Sequence, residues 1–167
     1  LKKRCLPVRQ VTTEIRTITS RLLETMYDSR GIGLAAPQVG ILKRIFVMDC
    51  ADKDKNALVH ICINPEITWV SDEKNTYEEG CLSIPDVYSE IERPSKIKLR
   101  YLNEAGETVE SYFEGLEAIC AQHELDHLNG ILFIDYLGPI KRQLITTKMK
   151  KMKKQKARIV LTRKIGE

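Results

Sequence analysis

Two of the chain's three histidines fall in His123-Glu124-Leu125-Asp126-His127, an H-E-x-x-H pattern. If the segment is helical, the two rings stand about 40° apart on one face and one turn apart, so both can hold a single metal ion. Glu124 falls about 100° round from His123, beside such an ion and free to take a proton from water held on it. The plainer alternative is a pair of satisfied core histidines, but a helix rarely buries His, Glu and His together without a use for them.

Two histidines do not complete a catalytic centre, which needs three protein ligands and one open position. Beyond His127 the chain has no His or Cys, and its only acids are Asp135 and Glu167, so the third ligand must come from upstream. The candidates are His60, the cysteines and the loop carboxylates. Cys81 is the best placed of them, in Glu79-Gly80-Cys81-Leu82-Ser83-Ile84-Pro85, where Gly80 permits a close approach and Pro85 ends the segment. Cys81 is therefore expected in a shaped turn and not within a strand. Cys50, Cys62 and Cys120 read as buried apolar cysteines.

These side chains need a frame. Thr12 or Thr13 can cap a helix with apolar positions Ile15, Ile18, Leu22 and Met26, stopped at Gly31. A Gly-rich loop follows, then β-like runs at about 44–49, 58–64, 67–70, 87–92, 96–102 and 108–113, the last pair turned by Asn103-Glu104-Ala105-Gly106. The runs are too closely spaced for βαβ crossovers. From Leu116 the period becomes helical through Ile119, Cys120, His123 and His127, and Asn129-Gly130 supplies a stop. The expected class is α+β: mostly antiparallel sheets around a central metal-binding H-E-x-x-H helix, with an N-terminal helix and a basic C-terminal helix. One domain over residues 1–167 is expected, since 167 residues can bury a real core without disulfides.

Composition narrows the classes further. Hydrophobic residues at 43% and charged residues at 30% fit a globular chain, and no run reaches the 18 apolar residues of a membrane span. Five cysteines, odd in number and without a C-x-x-C pair, point to a reducing compartment. The chain opens Leu1-Lys2-Lys3-Arg4 with no apolar segment of signal-peptide length behind it, so export is not expected, although the missing initiator Met leaves room for a piece upstream. The net charge of +4 conceals a split, −6 over residues 1–140 and +10 over 141–167. Ile140, Leu144, Ile145, Met149 and Met152 suit one stripe of a helix lying on the body, ahead of a solvated Lys-rich end. Such a tail is either a solubilising face or a contact for phosphate-rich RNA or another acidic partner. No RNA-reading module accompanies it, so sequence-specific nucleic-acid binding is not expected.

Gly31-Ile32-Gly33-Leu34-Ala35-Ala36-Pro37-Gln38, Glu79-Gly80-Cys81-Leu82-Ser83 and Gln122-His123-Glu124-Leu125-Asp126-His127-Leu128-Asn129-Gly130 together resemble the three signature motifs of bacterial peptide deformylases, without a substitution, in order and across essentially the whole chain. The resemblance implies one divalent metal ion on Cys81, His123 and His127, natively Fe(II) and replaceable by zinc, nickel or cobalt. A metal-bound hydroxide would then attack the formyl carbonyl of an N-formylmethionyl nascent peptide, releasing formate. Glu124 would act as general base and acid, and the Gln38 amide and the Leu82 backbone N–H would hold the oxyanion. Gly33 is counted with this catalytic set. Gly31, Ile32, Gly33, Tyr77, Glu79, Leu82, Ile119 and Cys120 would line the substrate pocket, with the glycine-rich backbone pairing to an extended peptide.

Gln122, Asp126 and Glu79 are the nearest polar supports for the ligands, and Arg93 is the expected ion-pair partner of Glu79. Val87-Tyr88 departs from the Arg that bacterial members often place there. The resemblance also implies ribosome contact through the basic C-terminal helix. The expected address is the cytoplasm of a bacterium, with an organellar one left open, and nothing in the pattern demands more than a monomer. Two rivals remain: a zinc endopeptidase, which H-E-x-x-H alone would also support, and a ribosome-binding scaffold with a structural metal.

Overall fold

The computed structural model describes residues 1–51 and 56–165, with side chains through Gln155. Its first helix, α1 (Thr13–Asp28), is capped by the Thr12 hydroxyl, which accepts from the Ile15 N–H at 3.4 Å. The stop differs from the sequence expectation: α1 ends before Arg30, which takes the left-handed conformation at φ 55°, while the Gly31 N–H closes the turn on the Met26 carbonyl at 2.9 Å.

The stretch expected as a Gly-rich loop holds a short strand, β1 (Gly33–Ala35), and a 3₁₀ turn over Ala36–Val39. Then follow β2 (Ile45–Asp49), β3 (Val59–Val70), β4 (Lys74–Cys81), β5 (Ile84–Pro94), β6 (Lys96–Leu102) and β7 (Thr108–Glu114). The two runs expected at 58–64 and 67–70 are one strand, because irregular register at Ile63/Glu66 and Ile67/Trp69 lets β3 pass Pro65 while pairing with β6. β4 escapes the sequence reading, and β5 starts three residues earlier than expected. Cys81 is accordingly the last residue of a strand, and Pro85 lies inside β5 and does not end the segment.

Five strands form an antiparallel sheet in the order β1-β2-β3-β6-β7, and β4-β5 form a separate hairpin. β2 is buried on both faces, which explains its unbroken apolar run Ile45-Phe46-Val47-Met48. Ile45 and Val47 join Ile15, Leu22 and Met26 of α1, whereas Phe46 and Met48 join Ala118, Cys120 and Leu125 on the other side. Each such fully buried side chain is worth about 1.5–3 kcal/mol over exposure. The turn at 103–106 forms as expected, with Asn103 Oδ1 accepting from the Ala105 and Glu107 N–H groups.

α2 (Gly115–Leu128) carries the H-E-x-x-H pattern and ends at Asn129, with Gly130 at φ 76°. A 3₁₀ turn over Phe133–Tyr136 leads into α3 (Pro139–Ile165). The single apolar stripe expected on α3 is two faces. Ile145 and Met149 pack with Ile84, Val87, Ile91 and Phe133, while Ile140 and Leu144 point to solvent at 78% and 67% exposure. The Lys-rich end is solvated as far as its side chains are described, with Lys148, Lys150, Lys151, Lys153 and Lys154 exposed; the side chains beyond Gln155 lie outside the described residues. Among the described residues no helix is long and apolar enough to cross a membrane.

Candidate metal centre

The end of the β4 hairpin strand and one face of α2 meet at a point. The donor atoms of Cys81, His123 and His127 lie within 4.8 Å of one another. Cys81 Sγ stands 3.3 Å from His127 Nε2, and the two imidazole rings sit edge to face with centroids 4.9 Å apart. Donors on one tetrahedral ion, with bonds of about 2.0–2.3 Å, stand about 3.6 Å apart, so the cluster has the right dimensions for one. One thiolate and two imidazoles are also a donor set suited to divalent first-row metals.

Each ligand candidate has a distinct environment. His123 Nδ1 meets Glu79 Oε2 at 2.9 Å, which leaves Nε2 as the nitrogen free for the cluster. Burial works against charge on His123, but the Cys81 and Glu79 contacts outweigh it and raise its pKa to about 10. His127 is buried without a partner at Nδ1, and burial together with the nearby His123 pushes it down to about 3. Glu79 is held below the usual carboxylate range, because hydrogen bonds from His123 and Arg93 outweigh its burial.

Glu124 is buried with Oε2 unpartnered, and burial pushes its carboxyl up to about 7, the range of a group that both takes and returns a proton near neutrality. Gly33 explains how strand and helix come so close. A Cβ there would stand 2.6 Å from Glu124 Oε1 and 2.7 Å from Cys120 Sγ. Gly31 is similarly confined, its notional Cβ 2.8 Å from Leu82 Cδ1. The glycines expected to make room for a peptide are thus required first by the protein's own packing.

Gln38 faces the cluster from the 3₁₀ turn after β1. Its Oε1 accepts from the Ala35 N–H at 2.8 Å, while Nε2 donates to Ser83 Oγ at 3.1 Å and approaches Cys81 Sγ at 3.6 Å. The amide is therefore held with its N–H₂ edge inward. A cavity of about 500 Å³ opens beside it, lined by every expected pocket residue: Gly31, Ile32, Gly33, Tyr77, Glu79, Leu82, Ile119 and Cys120. Gln38, Cys81, His123 and Glu124 also border it. The expected support residues divide: Arg93 grips Glu79 and Asp126, while Gln122 donates to the Pro94 and Ala118 carbonyls and so braces α2 against β5.

Sequence reasoning missed Ser83, which helps to aim Gln38, and noted Tyr88 only as a departure from the family's usual Arg, whereas its ring lies over Gly80, where a Cβ would come within 2.7 Å of it. Arg30, Asp86 and Leu116 also line the cavity unannounced. A recognised β4-β5 hairpin would have exposed most of them, since it places Tyr88 opposite Gly80. His60, a rival third ligand, lies elsewhere: its ring packs on Phe113, with Nε2 3.5 Å from Glu117.

A thiol and two imidazoles gathered between a hairpin and a central helix could hold one metal ion, with the buried Glu124 carboxyl beside them. The family model for "Polypeptide deformylase" matches residues 1–143. A peptide deformylase of Phenylobacterium zucineum is 52% identical over 151 residues, covering 90% of this chain and 89% of the relative. One from Caulobacter vibrioides is 51% identical over 154 residues, covering 92% and 89%. Among solved structures, the peptide deformylase of Ehrlichia chaffeensis superposes with a TM-score of 0.88 at 37% identity, covering 93% of this chain and 92% of that one. The same enzyme in complex with actinonin gives 0.87 at 38% identity, covering 91% of each chain. The chain belongs to the polypeptide deformylase family.

Proposed function

We propose that the protein removes the formyl group from N-formylmethionyl nascent peptides and releases formate. The observation that carries this reading is the convergence of Cys81, His123 and His127 within 4.8 Å beside the unpartnered Glu124 carboxylate and the inward-held Gln38 amide. These three side chains would hold one divalent metal ion, Fe(II) by family resemblance, with zinc, nickel or cobalt able to replace it. When bound, such an ion supplies a Lewis acid that makes a water nucleophilic near neutral pH.

The remaining work falls to the chain. Glu124 takes the proton of the attacking water and delivers it to the departing amine. Gln38 Nε2 and the Leu82 backbone N–H donate to the oxyanion as it develops. Gly33 lets β1 approach Glu124 closely, and β1 stands at the sheet edge, where an extended peptide can pair through its main chain whatever its sequence. The cavity walls formed by Ile32, Tyr77, Leu82, Ile119 and Cys120 accept an unbranched apolar side chain such as methionine.

Formate release from an N-formyl-Met peptide by Fe(II)-loaded protein, purified without oxygen, tests the reading. An N-acetyl-Met peptide and Glu124→Ala serve as controls. Release from the formyl peptide alone, lost in Glu124→Ala, supports it. Absence of formate from fully loaded protein refutes it, and cleavage of internal peptide bonds instead would favour the endopeptidase alternative.

The wider proposal is a monomer working in the cytoplasm, with residues 1–167 as one catalytic unit and α3 as its ribosome contact. The +10 charge of residues 141–167 supports that contact. Unchanged ribosome co-sedimentation across a salt series, after removal of the residues beyond Met149, would refute it.

A further inference from the structure

We infer that Asp126 and Tyr136 are positioning residues for the metal-binding face of α2: they hold Arg93 so that Glu79 keeps the His123 ring turned with Nε2 toward Cys81 and His127. This rests on the metal-site reading proposed above.

The connection is continuous. Glu79 receives Arg93 in a two-point grip, Nε to Oε1 at 2.5 Å and Nη2 to Oε2 at 3.0 Å, and the same Oε2 meets His123 Nδ1 at 2.9 Å. The remaining arm of Arg93, Nη1, donates to Asp126 Oδ2 at 2.9 Å. Tyr136 donates its hydroxyl to that same oxygen at 2.9 Å and accepts from Arg93 Nη1 at 3.4 Å, and its ring lies under the guanidinium, 4.9 Å from centroid to Cζ. Four side chains, from β4, β5, α2 and the 3₁₀ turn before α3, are thereby joined to one imidazole nitrogen.

The chemistry of each member explains why the outer two matter. The guanidinium side chain is 4% exposed, and a cation so buried must be fully paired. Glu79 satisfies one edge of the planar fork and Asp126 the other, so the plane of Arg93 is set by both. With that plane fixed, both Glu79 oxygens are oriented, and a carboxylate so held determines which nitrogen of its histidine carries the proton and where the ring points. Asp126 lies one turn on from His123 in α2, its side chain 15% exposed, so it is spent on this contact and is not an ordinary solvated helix acid. Tyr136 is half exposed, so losing its hydroxyl opens no core cavity.

The test uses Co(II)-loaded protein, whose visible absorption reports the arrangement of the ligands, together with Co(II) loss to a chelator and the thermal midpoint of the metal-free protein. Asp126→Asn is expected to speed Co(II) loss by about 10–100-fold and to alter the absorption bands. Tyr136→Phe keeps the ring under Arg93 and should act in the same direction by a smaller factor, leaving the metal-free midpoint close to that of the wild type. The double variant should speed Co(II) loss by less than the product of the two single factors, because Tyr136 and Asp126 hold the same arm of Arg93.

Unchanged Co(II) loss and spectra in both single variants would overturn the inference. So would a lowered midpoint with unchanged Co(II) loss, which would mark a structural role only. If the wild type itself binds no Co(II) and releases no formate, the underlying function fails as well. An active wild type with variants identical to it removes this inference alone.

Discussion

α2 and α3 are both rich in polar side chains and put them to opposite use. In α2, Gln122, His123, Glu124 and His127 are all buried, between the five-stranded sheet and the β4-β5 hairpin. In α3, Ile145 is the one buried residue among those whose side chains are described, and the lysines and arginines stand in solvent. A polar group taken out of water must be paired or left costly, and the costly ones are where chemistry resides. A charged helix face in water carries no such penalty and is free to vary. The centre of α2 should therefore be sensitive to single atoms, and the outer face of α3 to total charge alone.

The sharpest way to break this contrast is Glu124→Ala against Leu144→Ala. The first should lower kcat/KM for formate release by about 10²–10⁴-fold, the range of a lost acid–base group, and the second should leave it unchanged. Next comes Gly33→Ala. The added methyl meets Glu124 and Cys120 inside 3 Å and should cost about 10²-fold in kcat/KM by displacing the carboxylate, whereas Gly138→Ala, with open space around it, should cost nothing measurable.

Within α3 itself, Ile145→Ala should lower unfolding stability in urea by about 2 kcal/mol, and Leu144→Ala by less than about 0.5 kcal/mol. Equal losses would mean that the two faces are not distinct.

The smallest effect concerns a solvated acid set against buried Glu124. Burial works to raise Asp49, but hydrogen bonds from Tyr27 and from the Ala51 and Leu58 N–H groups outweigh it and hold its pKa below the ordinary value. A depressed carboxylate stabilises the fold above its unfolded pKa of about 3.9 and loses that contribution as the pH falls through its folded value. Asp49→Asn should therefore cost less than about 1 kcal/mol at pH 7, and its gap to the wild type should close below pH 4. A gap that widens in acid would reverse the sign of the argument.

What could be read ahead of the structure was local. The Thr12 cap, the 103–106 turn and the pairing of His123 with His127 on one face each depend on residues a few positions apart. The antiparallel class followed from strand spacing alone. What could not be read depended on distant partners. β4 alternates in burial but turns Asn75, Tyr77 and the buried Glu79 to its covered side, so no apolar alternation marks it in the sequence and the strand's last residue, Cys81, reads as part of a turn. Arg30 takes a left-handed conformation that a neighbouring glycine appeared to claim. On α3, Ile140 and Leu144 lie about 100–140° round from Ile145, but apolar spacing of three to five residues fits one face or two equally well. Of the candidate ligands, His123 and His127 are legible from helical spacing, whereas Cys81, 46 residues from His127, is legible only from the lack of a downstream donor, its Gly80–Pro85 context and motif resemblance.

β1 ends the five-stranded sheet, and it is only three residues long. A bound peptide would become a temporary sixth strand, so each turnover would complete the sheet and then undo it. Short pairing limits how long that added strand stays. With the Ala35 N–H already donated to Gln38 Oε1, an edge this short would offer a peptide few main-chain bonds, which would favour rapid exchange of many different sequences over tight grip on any one.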